Sequence, residues 1–382
     1  MGAGALNRRA IQKVLDDAVA AGTLPGVAAA VTGADGTLFE AAAGVTVLGG
    51  GQKVNADTLF WIASMTKPVT SLAAMQLVEQ GRLDLDAPVG DLLPELKNPQ
   101  ILEGGKLRPA TKAITLKHLL THTAGFSYSF ASAEYAAYFA AAENPPVFGT
   151  RAALDAPLLF EPGERWEYGL STDWVGLAVE AVSGLTLEAY FRKHIFAPLG
   201  MADTEFLPSA EQMSRRALVH QRQADGSLVA MPPAPLAVPE VFSGGGGLYS
   251  TLRDYQKFMR VFLNAGAGIV APATVTNMSR NHIGGLRAGY LPSANPALFV
   301  GADVNPGQHS QWGLGFLIYP ETGRFGRNAG SFGWAGMANT YFWVDPVVNQ
   351  AAVIMMQILP SGDVGAMKTL FGFEKAVYAA PQ

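Results

Sequence analysis

Apolar residues recur at four-residue steps between Asn7 and Ala21, at Ile11, Leu15 and Val19, and predict an opening helix. Two runs of small and apolar residues follow, Gly26–Thr32 and Thr37–Gly44, and read as strands joined by a turn at Ala34-Asp35-Gly36. Leu59 to Ala63 is a short apolar run, a buried strand or turn. Pro68 to Gln80 predicts a helix that stops at Gly81. Pro94–Lys112 carries glycine, proline and charge and reads as a loop. Thr115–Thr121 is a short helix with Thr115 as its cap, and Ala131–Ala142 is an alanine-rich helix ending before Pro145-Pro146. Thr172–Ser183 and Thr186–Ile195 predict two helices joined at Gly184, whereas Leu207–Val241 is polar and proline-rich with few periodic signals. Ser250–Ala265 places Tyr255, Phe258, Met259 and Phe262 on one helical face. From Trp312 to Met356 the runs WGLGFLIY, GMANTYFWV and AAVIMM read as strands, and Gly365–Tyr378 closes the chain as a helix.

Strands therefore lie at both ends and helices fill the middle. The simplest architecture of this α/β (α+β) class is a mostly antiparallel sheet flanked by helices. Residues 1–75 and 245–382 would build it, with a mostly helical domain inserted at 76–244. No internal repeat or low-complexity tract interrupts this plan.

Composition narrows the functional classes. A chain of 382 residues, 49% hydrophobic and 15% charged, holds a large core, and its 43 glycines point to a loop-rich enzyme body. The net charge of -4 and the lack of a basic run argue against nucleic acid and anionic membrane as partners. With no cysteine there is no disulfide, thiolate metal site or cysteine nucleophile. No stretch of eighteen apolar residues predicts a membrane span. Met1 to Lys13 lacks the apolar core of a signal peptide, so the expected location is cytoplasmic. No feature fixes an oligomeric state.

Candidate chemistry begins at Ser64-Met65-Thr66-Lys67. A serine hydroxyl is a poor nucleophile until a base lies within hydrogen-bond reach. Residues i and i+3 share a helix face, so Lys67 can turn its amine back toward Ser64. The helix start would supply N–H donors where an oxyanion forms. Alone the spacing is weak, because an N-capping serine followed by an exposed lysine is common.

Other constellations are weaker. His118 and His122 have an i, i+4 spacing, but Leu119 stands where a zinc-protease helix carries glutamate. No G-x-S-x-G occurs, and Gly330-Ser331-Phe332-Gly333 has the wrong spacing for a nucleophile elbow. Gly244–Gly247 lacks the G-K-[ST] ending of a phosphate loop and reads as a tight strand connection. The acidic residues are scattered, with no paired carboxylates. No metal and no cofactor is expected.

Several segments together resemble the serine β-lactamase and penicillin-binding-protein superfamily, and within it class C β-lactamases and the family VIII carboxylesterases. They are SMTK at 64–67, ITLKHLLTHTAGF at 114–126, EPGERWEYGLSTDWVGLAVEAVSG at 161–184, IFAPLGMADT at 195–204, GGGGLYSTLRDYQKFM at 244–259 and GSFGWAGMANTYFWVDP at 330–346. The resemblance implies a β-lactamase-like fold and an acyl-serine on Ser64, with Lys67 and Tyr168 moving protons. It implies an oxyanion site made by the N–H groups of Ser64 and Met337, with Gly336 letting substrate approach the strand closely. Two positions depart from the family pattern. Tyr168-Gly169-Leu170 carries leucine where Tyr-x-Asn is usual, and Trp334-Ala335-Gly336 carries tryptophan where Lys-Thr-Gly is usual. Losing that cation and that amide favours a neutral ester over an anionic β-lactam, and Trp-x-Gly resembles the esterase branch. A small-molecule ester with a short or medium acyl chain is the expected substrate. The alternatives are a β-lactamase or D-Ala-D-Ala peptidase, an acyltransferase using the same acyl-serine, and a non-catalytic sensor domain. Phe126, Tyr128, Trp166 and Phe242, with Leu170, Trp334, Ala335 and Gly336, are the candidate substrate-binding residues. Core packing is the alternative for the four aromatics at 126, 128, 166 and 242.

Overall fold

The computed structural model describes residues 6–141, 147–233 and 237–379. An eight-stranded sheet organises them. Its strands are β1 (Gly26–Gly33), β2 (Thr37–Val47), β3 (Gly50–Lys53), β4 (Gln311–Trp312), β5 (Leu317–Ile318), β6 (Phe332–Gly336), β7 (Thr340–Asp345) and β8 (Gln350–Met355). Their order is β4-β5-β6-β7-β8-β1-β2-β3, and every adjacent pair is antiparallel. The two chain ends meet at the centre, where Ala28 pairs with Met355 and Gly33 with Gln350.

The central strands are apolar on both faces because both faces are covered. Along β1, Ala28 and Ala30 point into one core cluster while Val27, Ala29 and Val31 point into the other. Along β8, Ala351, Val353 and Met355 divide in the same way from Ala352 and Ile354. This is the two-residue period of a strand read on two sides. Helices α1 (Arg8–Ala20) and α6 (Val364–Tyr378) pack together on the second face, with Ile11, Leu15, Trp343 and Phe373 between them and the sheet. Asn7 caps α1 by accepting from Ala10 N–H, and Asp363 caps α6 by accepting from Gly365 and Ala366 N–H.

The first face carries α2 (Thr66–Glu79), α3 (Leu116–Leu120), α4 (Ser171–Ser183) and α5 (Leu252–Leu263). Helix α2 is buried from Thr66 through Leu77, with Thr66, Lys67 and Thr70 bonded to the 244–248 loop. Covered on all sides, it lies in the middle of the core and packs on α4 there. Helix α5 keeps a polar side and buries Tyr255, Phe258, Met259 and Phe262. No helix among the described residues is long and apolar enough to cross a membrane.

Two predicted loops carry structure. Pro94–Lys112 contains the hairpin Gln100–Glu103 with Lys106–Pro109, closed by Gly104 and Gly105 at positive φ. Leu207–Val241 contains the helix Ala210–Ser214, capped by Ser209, and the strands His220–Arg222 and Leu228–Ala230. His220 and Gln221 pair in parallel with Ile358 and Leu359, so this part of the middle segment is tied to the chain's end. Residues 142 and 234–236, within the predicted 131–142 helix and the 207–241 segment, lie outside the described residues. The helix from Leu187 continues through a wide turn at Arg192–Phe196, beyond the Ile195 boundary expected from sequence.

Candidate active site

The strand Leu59–Trp61 pairs with Tyr249–Thr251 and delivers the chain to a sharp turn. Ala63 takes φ 44, a left-handed conformation that costs a non-glycine residue on the order of 1–3 kcal/mol. The turn is held by Ile62 N–H to Leu248 carbonyl (3.0 Å), Tyr255 Oη to Met65 carbonyl (3.0 Å) and Leu248 N–H to Thr66 Oγ1 (3.1 Å). It leaves Ser64 half-buried at the entrance of α2.

Lys67 is fully buried one turn later. Its Nζ donates to Gly245 carbonyl at 2.7 Å, to Tyr128 Oη at 3.0 Å and to Ser64 Oγ at 3.2 Å. It also lies 4.5 Å from the centre of the Tyr168 ring. Tyr128 and Tyr168 meet edge to face at 5.3 Å. Burial first, then the charge of Asp173 and the neighbouring Tyr168, hold the Tyr128 hydroxyl well above the ordinary phenol range.

Tyr168 is met from the sheet side by Trp334 on β6. The indole Nε1 donates to Tyr168 Oη at 3.1 Å, and the two ring centres are 5.0 Å apart. Trp334 stands edge-on to Trp312 at 4.7 Å, and Trp312 meets Trp166 at 5.3 Å. His122, at φ 55, sits among Trp166, Tyr168 and Trp312. Burial, reinforced by Lys67, depresses its proton affinity well below that of an ordinary histidine. Its Nδ1 faces the Gly169 N–H at 3.5 Å. His118, by contrast, completes the cap of α3, with its Nδ1 accepting from Thr115 N–H at 3.2 Å. The two histidines thus serve different neighbours.

The end of β6 abuts the nucleophile turn. A Cβ on Gly336 would lie 2.3 Å from Ile62 carbonyl oxygen and 2.2 Å from Thr340 Oγ1. Glycine at this position thus permits the close approach of Ile62, in the Ser64 turn, to the strand. Neither Ser64 N–H nor Met337 N–H donates to a backbone carbonyl among the described residues.

The structure thus gathers Ser64, Lys67, Tyr168, Tyr128, Trp334 and Gly336, with Ala335 half-buried on the same strand and Trp166 behind Tyr168. Leu170 is the residue that starts α4 and packs half-buried on the core. Phe126 is only 1% exposed and stacks on Trp174 at 6.4 Å. Both line a cavity of about 500 Å³ with Leu107, Tyr138 and Arg151, and Ser64, Lys67 and Tyr168 are absent from its walls. Phe242 pairs with Phe206 at 5.2 Å.

Sequence reasoning missed three contributors. Tyr128, expected as a substrate-binding aromatic, also presents its hydroxyl to Lys67. Asp173 stands among scattered acids in the sequence, and its signal is a carboxylate inside the apolar run STDWVGLAV. The Gly244–Gly247 segment, expected as a tight strand connection, turns its carbonyls to α2 and the preceding strand: Gly244 accepts from Thr70 Oγ1 (2.7 Å), Gly245 from Lys67 and Gly246 from Trp61 Nε1 (2.9 Å).

A family model described as Beta-lactamase matches residues 11–375. The chain is 34% identical over 375 residues to a lovastatin esterase of Penicillium rubens, covering 91% of this chain and 93% of the relative. It is 32% identical over 343 residues to a monacolin J acid methylbutanoyltransferase of Aspergillus terreus, covering 85% and 83%. The unliganded simvastatin synthase structure from Aspergillus terreus superposes with a TM-score of 0.85 at 29% identity, covering 97% of each chain. EstCE1, a hydrolase with promiscuous acyltransferase activity, shares the fold with a TM-score of 0.78 at 23% identity, over 97% of this chain and 98% of that one.

Proposed function

The chain belongs to the beta-lactamase family, and on that premise we propose that it is a serine carboxylesterase acting on small neutral esters through an acyl-Ser64 intermediate. The observation that carries this reading is the hydrogen bond from Trp334 Nε1 to Tyr168 Oη beside the Ser64–Lys67 pair. It keeps a proton-transfer group in place with a neutral donor, where the family's usual third motif supplies a cation that would also attract an anionic substrate.

Ser64 Oγ attacks the ester carbonyl carbon. Lys67 has three oxygen neighbours for the three N–H bonds of an ammonium, so we assign the base to Tyr168. Its phenolate would be stabilised by that ammonium below the ring and by the indole N–H at the oxygen. The serine proton passes to Tyr168 and then to the leaving alkoxide, giving the alcohol and the acyl-enzyme. The N–H groups of Ser64 and Met337 are assigned to the oxyanion. Water then attacks, and Tyr168 takes its proton and returns it to Ser64. The aromatic surfaces of Tyr128, Trp166 and Trp334 favour an apolar acyl or alcohol group.

An acyl acceptor other than water is the second reading. It is favoured by the similarity to a methylbutanoyltransferase over most of both chains. Turnover of p-nitrophenyl acetate, butyrate and octanoate against nitrocefin, with and without added alcohol, separates these cases. Ester turnover should exceed nitrocefin cleavage by roughly 100-fold or more, equivalent to about 2.7 kcal/mol of transition-state discrimination. Comparable nitrocefin rates would overturn the reading, and acylated alcohol outweighing free acid would promote the transferase.

Trp334→Phe keeps the ring and removes only the donor. A hydrogen bond to a charged group is worth about 1.5–3 kcal/mol, so kcat should fall roughly 10- to 100-fold with KM little changed. Steady-state kinetics on p-nitrophenyl butyrate measure it. An unchanged kcat would remove Trp334 from proton transfer.

A further inference from the structure

Asp173 is only 3% exposed, in the first turn of α4. Burying a carboxylate is expensive unless polar groups compensate it. Its partners lie on the glycine loop rather than on a neighbouring cation. Oδ1 accepts from Ser243 Oγ at 2.6 Å and from Gly245 N–H at 3.0 Å. Gly245 then presents its own carbonyl to Lys67 Nζ at 2.7 Å. One residue thus carries the carboxylate on its N–H and the catalytic amine on its C=O. A Cβ at Gly245 would stand 2.5 Å from Asp173 Oδ2, so glycine is required for the loop to close this tightly. The loop is also pinned to α2 and the preceding strand through Thr70 and Trp61. Burial raises the proton affinity of Asp173, and the charge of Lys67, Ser243 and Gly245 act against that rise.

We propose that Asp173 is a positioning residue for catalysis: it fixes the Gly245 carbonyl that aims Lys67 at Ser64 and Tyr128, and its buried negative charge balances the Lys67 ammonium. It touches neither Ser64 nor substrate and acts through the loop. The inference rests on the acyl-Ser64 reading above. Its structural competitor is a carboxylate that merely anchors the loop to α4, which would affect folding but not the rate of each folded molecule.

Asp173→Asn separates the two. The amide oxygen keeps both hydrogen bonds, so the loop stays in place, while the charge is lost. Catalytic sites are counted with a fluorophosphonate that labels Ser64, and p-nitrophenyl butyrate kinetics are expressed per labelled site. The expected result is a kcat roughly 100-fold lower with KM within about threefold of wild type, and a melting temperature close to wild type. A kcat per labelled site within about threefold of wild type overturns the proposal. Should Asp173→Asn not fold, Gly245→Ala keeps the Asp173 charge, but its Cβ would stand 2.5 Å from Asp173 Oδ2 and so displace the Gly245 carbonyl from Lys67. It should lower kcat per site several-fold at unchanged KM, and an unchanged kcat would equally overturn the proposal. Wild-type protein that neither turns over esters nor takes the label would sink the acyl-Ser64 reading itself, a result distinct from both.

Discussion

Ser64→Ala should abolish ester hydrolysis, with kcat on p-nitrophenyl butyrate falling on the order of 10⁴-fold or more. The size follows from what the substitution removes. Among the described residues no other hydroxyl shares the position 3.2 Å from Lys67 Nζ at the start of α2. Tyr128 Oη reaches the same amine, but burial and its charged surroundings keep it a neutral phenol, so it does not replace the nucleophile. The fold should be indifferent, because Ser64 is half-buried and the turn is held by Ile62, Met65 and Thr66. Two measurements check this: residual turnover, and intact-protein mass after mixing with a slow ester. Wild type should gain the mass of one acyl group and the variant none. Turnover surviving in the variant at wild-type level would place the nucleophile elsewhere.

Tyr168→Phe is the second large effect. Removing Oη takes away the group assigned to accept the Ser64 proton and deliver it to the leaving alkoxide, a role worth about 10²–10⁴ in rate. It also leaves Trp334 Nε1 without its partner in a buried setting, a cost of about 1–3 kcal/mol in stability. The ring stays, with its contacts to His122, Trp334 and Lys67. A drop in kcat far larger than the change in thermal stability is therefore expected. Rapid-mixing kinetics should show that the release of the first p-nitrophenol equivalent is slowed, since the proton must move in acylation as well as in hydrolysis. Acylation at the wild-type rate would return the base assignment to Lys67.

What the sequence disclosed was set by side chains, and what it concealed was set by backbone. The helix cap at Thr115, the stop at Gly81 and the apolar runs of β1 and β8 are written in residue types with known local preferences. That both parts of the chain would share one sheet was legible from the apolar strands at either end, whereas the pairing of β1 with β8 is a tertiary fact. The hairpin inside Pro94–Lys112 was obscured by charge and proline, although Gly104-Gly105 between short strands was its signature. In the site, the Ser64–Lys67 contact followed from helical spacing. The third acceptor on Lys67 did not, because a carbonyl at Gly245 looks like any other carbonyl in a sequence. Trp334 could be read as an apolar replacement for a cation. Its N–H contact to Tyr168 depends on how β6 meets the tyrosine loop, a tertiary fact.

The central position of β1 has a consequence for how the molecule is made. Its partner on one side, β2, follows it directly in the chain, and its partner on the other, β8, follows only after the helices of the middle segment. Until β8 is made, the nascent chain carries β1 with one apolar edge unpaired. Such long-range closure is slow and leaves strand edges open to wrong partners. Production of this protein should thus depend on elongation rate and temperature, and truncation before residue 350 would remove the centre of the sheet rather than an appendage.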